Sequence, residues 1–167
     1  VTGVVVWFTG FPSAGKSTTA RAVADRLLRA GARAVLLDGD EVRAALRPPP
    51  GYDPLARDAF YETLARLAAL LAAQGHPVLV PATANLRAFR ERARSLAPRW
   101  IEVFVDTPLA ECQRRDAKGL YARAASGDTS SLPGADATYE PPEHPDFTCH
   151  TLDDASLAPL VRAILDS

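Results

Sequence analysis

Methionine is absent from the sequence, cysteine occurs only twice, aromatic residues make up 7% and the charges nearly cancel. Each scarcity excludes something. Two cysteines, Cys112 and Cys149, are too few for a disulfide scaffold, and no stretch combines a charged start, an apolar run and a small-residue cleavage site. A reducing cytoplasm is therefore the expected setting. Nineteen Lys and Arg against twenty Asp and Glu leave a formal charge of −1, so no global basic field exists to hold a nucleic acid. Any positive charge that matters must be local. Apolar segments such as residues 65–73 fall far short of a bilayer span, which argues against a membrane protein. With no methionine, the chain is expected to lack the native start, either as a trimmed protein or as one domain of a longer fusion.

What is present suits one folding unit. A hydrophobic content of 47% over 167 residues can fill a single sizeable core, so residues 1–167 are expected to form one domain. Apolar, β-branched runs alternate with Ala-, Leu- and Arg-rich helical stretches, the pattern of a parallel sheet covered by helices. Strands are expected at residues 4–9, 34–37, 77–81 and 101–105. Helices are expected at 17–29, 54–74, 86–96, 109–115 and 157–165. The prolines at 48–50 forbid helix and mark a corner, and Gly75 suits the end of the long helix. Residues 127–145 are rich in Gly, Pro, Ser and Asp and too long for an ordinary connection, so they are expected to be disordered or a functional lid.

The strongest local signal is Gly10-Phe11-Pro12-Ser13-Ala14-Gly15-Lys16-Ser17, which fits G-x-x-x-x-G-K-[ST] between a predicted strand and a predicted helix. At average residue frequencies the four fixed positions coincide by chance in only about 0.5% of chains this long. A plain glycine-rich turn is the poorer reading. Such a loop curls so that successive N–H groups face phosphate oxygens, and the helix that follows adds the positive end of its dipole. Gly10, Ser13, Ala14, Gly15, Lys16, Ser17 and Thr18 are thus the expected ATP-binding set. Lys16 would reach the β- and γ-phosphates, and Ser17 would offer its hydroxyl to Mg²⁺.

Leu36-Leu37-Asp38-Gly39-Asp40 puts two carboxylates at the carboxyl end of the second predicted strand, the edge where open α/β sheets bind ligands. A kinase acting on an alcohol needs a carboxylate that orients the hydroxyl and accepts its proton, or that fixes Mg²⁺ through water. Asp40 is the expected residue for that work, with Lys16 as its catalytic partner on the phosphate side. Alone, Asp-Gly-Asp is more often a turn than a site. Downstream of a phosphate loop it points to chemistry.

Three further stretches are distinctive: residues 37–43, LDGDEVR; residues 104–109, FVDTPL, with Cys112, Arg115-Asp116 and Lys118-Gly119-Leu120-Tyr121 after them; and Tyr139-Glu140-Pro141-Pro142-Glu143-His144-Pro145. Over residues 4–146 the chain resembles the adenylylsulfate (APS) kinases, which convert APS and ATP to PAPS and ADP. The resemblance implies a P-loop kinase fold: a five-stranded parallel sheet with helices on both faces and a mobile lid at 127–145. It implies that Arg43 and Arg57 bind the phosphosulfate region of APS, a task suited to planar cations with several fixed donors. It also implies that Tyr52 stacks on the adenine, that Asp38, Asp40 and Lys118 contact the nucleotide acceptor, and that Arg115 lies near the ATP phosphates. Small-molecule partners, and a homodimer or fusion to a sulfate-activating enzyme, follow from the same resemblance.

Departures from the family pattern gather on the acceptor side. Phe60 stands where the family usually has an Asn, Leu132 where a second aromatic would complete the adenine sandwich, and the family's F-I-S-P-Y-R becomes ATANLR at residues 82–87. In the phosphate loop Phe11-Pro12 replaces the usual Leu-Ser. Leu132 can pack on a purine but lacks the ring quadrupole that favours stacking by about 0.5–1.5 kcal/mol. A kinase of the same fold acting on another small hydroxyl-bearing substrate therefore remains the alternative. A weakly catalytic ATP-binding module that regulates a sulfate-activating enzyme is the second.

Other features read as structural. The arginines at 87, 90, 92, 94 and 99 fall on more than one helical face and suit a solvated helix, with Arg87 able to reach the acceptor. Cys149-His150 lacks a second ligand pair with zinc spacing. Cys112, Trp7 and Trp100 are expected to pack in the core.

Overall fold

The computed structural model describes residues 2–116, 118–127, 138–150 and 152–167. Five strands form one parallel sheet: β1 (Val5–Thr9), β2 (Val35–Leu36), β3 (Val78–Pro81), β4 (Trp100–Val105) and β5 (Phe147–Cys149), in the order β2-β3-β1-β4-β5. The central strand β1 pairs Val5 with Val78 on one side and with Trp100 on the other. Its five residues are all buried, as a strand covered on both faces must be.

Alternation along β1 sorts the core into two layers. Val4, Val6 and Phe8 face one cluster, closed by Val23 and Leu27 of α1 (Lys16–Arg29) and by Leu157, Leu160 and Ile164 of the last helix. Val5 and Trp7 face the other. There they meet Leu64, Ala65 and Ala68 of the long helix α3 (Pro54–Ala73) and Phe89 and Ala93 of α4 (Arg87–Leu96). Between β2 and α3 lies α2 (Gly39–Ala45); α5 (Leu109–Arg115), α6 (Leu120–Ala125) and α7 (Asp154–Leu165) complete the element order. Among the described residues no helix is long and apolar enough to cross a membrane.

The five-stranded sheet with helices on both faces agrees with expectation, and so do four of its strands in place. Three elements were not anticipated. Strand β5 has only three residues and follows the Pro145-Asp146 step, too short for an alternation signal. Helix α2 begins at Gly39 because the Asp38 side chain caps it by accepting from the Asp40 N–H at 3.0 Å. In sequence that cap looks like a turn. Helix α6 is six residues long, capped by the Asp116 carboxylate, which accepts from the N–H groups of Tyr121 and Ala122 at 3.0 Å. The expected lid at 127–145 falls largely outside the described residues, and Leu132 lies there too.

The solvated-helix reading of α4 needs correction. Arg90 is 2% exposed and its guanidinium is fully engaged: with Glu102 of β4 at 2.9 Å, the Ala84 carbonyl at 2.5 Å and the Glu140 carbonyl at 2.6 Å. Arg87 is also committed, to Glu143 and to Glu140, rather than free for an acceptor. Helical spacing alone could not show this, since all of these partners lie outside the helix.

Candidate active site

The loop from Gly10 to Gly15 joins β1 to α1 at the carboxyl edge of the sheet. Two glycines make its path possible. A Cβ on Gly10 would come 2.7 Å from the Val105 carbonyl oxygen, and Gly15 sits at φ 98°, where side chains are strained. Ser13 also takes a left-handed conformation, φ 64°, in the middle of the loop. Neighbouring strands and helices brace the curl. The Thr107 hydroxyl, after β4, donates to the Ala14 carbonyl at 2.7 Å, and the Tyr121 hydroxyl of α6 donates to the Pro12 carbonyl at 2.9 Å.

Lys16 opens α1 and folds back over the loop, donating to the carbonyls of Gly10 at 3.1 Å and Phe11 at 2.8 Å. Burial, and secondarily the nearby ammonium of Lys118, push its pKa down to about 7. The next residue, Ser17, donates its hydroxyl to Asp38 at 2.5 Å. Asp38 is 4% exposed, so the phosphate loop and the end of β2 meet in a hydrogen bond shielded from water. Asp40, the second residue of α2, is exposed and pairs with Lys118. Thus two lysines, Lys16 and Lys118, and two carboxylates, Asp38 and Asp40, gather around the Ser17 hydroxyl in one cluster.

Arg115, at the end of α5, flanks the loop: its Nη1 lies 3.8 Å from the point a Gly15 Cβ would occupy. Its Nε donates to Glu111 at 2.9 Å, and hydrogen bonds from Arg114 and Arg115 hold the Glu111 carboxyl down to about 2. Thr18 is exposed on α1 and touches none of these groups by a hydrogen bond. Arg43 of α2 donates to the carbonyls of Pro50 at 3.3 Å and Gly51 at 2.9 Å. Burial lowers its pKa, the tyrosines at 52 and 61 oppose that, and the cation of Arg57 on α3 adds to it. Arg43, Arg57 and Tyr52 therefore gather on the α2–α3 side.

Residue-by-residue reading missed the groups that hold this site together. Tyr139 lies tilted against Phe11, ring centroids 4.7 Å apart, and its hydroxyl bonds Thr9 at 3.0 Å; burial raises its pKa to about 12. Thr9 in turn donates to the Thr83 carbonyl at 2.6 Å. Only the distinctive stretch around Tyr139 could have flagged it. Its partners are 130 positions away in sequence.

A phosphate loop at the carboxyl edge of a parallel sheet, with carboxylates closing on it from the end of β2, defines an enzyme of the P-loop kinase class. More narrowly, the chain belongs to the adenylylsulphate kinase family, whose profile matches residues 2–150. The adenylyl-sulfate kinase of Picosynechococcus sp. is 42% identical over 149 residues, covering 89% of this chain and 84% of the relative. The bifunctional enzyme CysN/CysC of Mycobacterium tuberculosis is 42% identical over 149 residues, but they cover only 24% of its length. The solved structure of the Mycobacterium tuberculosis APS kinase CysC, in complex with AMPPNP and APS, superposes with a TM-score of 0.90 at 39% identity over 99% of both chains.

Proposed function

We propose that this kinase transfers the γ-phosphoryl group of MgATP to the 3′-hydroxyl of adenylyl sulfate, giving PAPS and ADP. The observation that carries the reading is the cluster joining Lys16 and Ser17 of the phosphate loop to Asp38 and Asp40, with Arg43 and Arg57 beyond it. A kinase needs a triphosphate site, a carboxylate and an acceptor site in that succession. The family's solved relative with AMPPNP and APS supports the choice of substrates.

The residues present fit a magnesium ion. Among the described residues no group of three or more His, Cys, Asp or Glu side chains could cage a metal, whereas one hydroxyl and one buried carboxylate meet at the loop. Magnesium in phosphate-transfer sites is held in that way, by one or two protein oxygens together with water and substrate phosphates. Ser17 would hold it directly, and Asp38 or Asp40 through water. The chemistry it supplies when bound is neutralisation of phosphate charge.

The rest is the work of this chain's own side chains. The loop amides and Lys16 stabilise charge on the phosphates, with Arg115 beside them. The acceptor 3′-oxygen forms its bond to the γ-phosphorus as the bond to the β,γ-bridging oxygen breaks, and ADP departs with that electron pair. The hydroxyl proton passes to Asp40, which Lys118 holds in place through their ion pair. Arg43 and Arg57 hold the anionic end of the acceptor, and Tyr52 covers its base.

We further take residues 1–167 as one catalytic unit in the cytoplasm, where the free thiols of Cys112 and Cys149 would stay reduced. Fusion to a sulfate-activating enzyme fits the bifunctional relative. The deciding experiment is ADP release from MgATP with a panel of alcohols. Turnover with adenylyl sulfate, and loss of about 10²–10⁴-fold in kcat for Asp40→Ala with ATP binding retained, is the expected result. Turnover with a different alcohol and none with adenylyl sulfate would end the assignment.

A further inference from the structure

The guanidinium of Arg43 lies over two aromatic rings, 4.0 Å from the Phe60 centroid and 4.4 Å from that of Tyr52. The two rings differ in their support. Tyr52 is 55% exposed in the coil before α3, whereas Phe60, on α3 itself, is 3% exposed. Phe60 packs edge-on against Tyr61 at 5.4 Å, and Tyr61 stacks on Phe89 of α4 at 4.9 Å. The Tyr61 hydroxyl also receives the N–H of Ala84 at 3.0 Å. A continuous aromatic row therefore runs from the core between α3 and α4 out to the face on which Arg43 rests.

That support fixes more than a position. A guanidinium is planar, with five donors in a rigid fork. Nη1 of Arg43 is committed to the Pro50 and Gly51 carbonyls, while its central carbon lies 4.0 Å from the centre of a ring packed into the core. A held nitrogen and a packed ring together restrict the directions in which the Nε–Nη2 edge can point. A flexible arginine would have to lose rotamer freedom to bind an anion; this one has lost it already.

We propose that Phe60 is a positioning residue that sets specificity for an anionic acceptor, by holding the Arg43 fork ready for its oxyanions. The proposal rests on the function assigned above and deepens it: the anion is the phosphosulfate of adenylyl sulfate. Phe60 itself makes no hydrogen bond to the acceptor and acts through Arg43.

Steady-state kinetics of the wild type, Phe60→Leu and Phe60→Tyr test it. Phe60→Leu keeps apolar bulk but removes the ring face, and should raise KM for adenylyl sulfate about three- to tenfold, with kcat and KM for ATP within about twofold. Phe60→Tyr keeps the face and should keep the wild-type KM. An unchanged acceptor KM in Phe60→Leu, or an equal rise in both KM values, overturns the proposal. A second readout is independent of turnover: the Nε–H proton of Arg43, identified by its loss in Arg43→Lys, should be ring-current shifted upfield in wild type and should stay shifted in Tyr52→Leu, where the Phe60 ring still lies under the guanidinium. Finding it at the ordinary arginine position in Tyr52→Leu overturns the proposal even if Phe60→Leu does not fold. Absence of any turnover with adenylyl sulfate would refute the assigned function, while the Arg43 resonance would still decide the role of Phe60.

Discussion

A lysine whose charge is set by its surroundings governs the phosphate site. Burial lowers the Lys16 pKa first and Lys118 second, to about 7. A bound triphosphate acts in the opposite sense, because its negative charge favours the ammonium form. Nucleotide binding above pH 7 must therefore take up a proton. At pH 8, calorimetric titration in buffers of different ionisation heat should show uptake of roughly 0.9 proton per ATP, and affinity should fall by up to about tenfold per pH unit from pH 7 to 9. Lys118→Ala relieves the repulsion and raises the Lys16 pKa, so proton uptake at pH 8 should shrink. No uptake in wild type would show that Lys16 is already charged before nucleotide arrives.

Between elements, the buried pair of Arg90 and Glu102 does what a surface pair cannot. It joins α4 to β4, and through two carbonyls it also fixes the 84 and 140 segments, the second of which carries Tyr139 against Phe11 of the phosphate loop. Replacing Arg90 with Met strands a half-shielded carboxylate and two carbonyl acceptors, and should cost about 3–5 kcal/mol in urea denaturation. Arg92 pairs with Asp58 and Glu62 nearer the surface, so Arg92→Ala should cost only about 0–1 kcal/mol. Equal losses for the two variants would contradict the distinction.

The same comparison explains what could be read in advance. Gly10 to Ser17 and Asp38 to Asp40 are short contiguous signals, with chemistry written into residue type and spacing. So were strands β1 to β4, through their apolar runs. Arg90, Thr107, Tyr121 and Tyr139 are different: each acts on the loop or its supports from far along the chain, and nothing local to them distinguishes a brace from a solvated side chain. Strand β5 and helix α6 are too short for periodicity to speak. Whether Arg43 was free or held also depended on a ring 17 residues away.

At the scale of the whole molecule, β1 is the element on which both layers depend. It pairs with β3 and β4, sends alternate side chains into the two core clusters and ends at Gly10. Nucleotide binding at the end of that strand should therefore be felt by the entire chain rather than by one lobe. MgATP at a hundredfold excess over its Kd should add about 2.7 kcal/mol of stability. For a chain of this size each kcal/mol moves Tm by about 2–4 °C, so a rise of about 5–10 °C is expected, in a single transition whose calorimetric and van't Hoff enthalpies agree. Lys16→Ala should melt near the ligand-free temperature and lose most of the rise, since it removes the charge that receives the phosphates but no packing between the layers. Two resolved transitions, only one of them moving with MgATP, would show instead that the layers on either side of β1 unfold separately and that the site reports to just one of them.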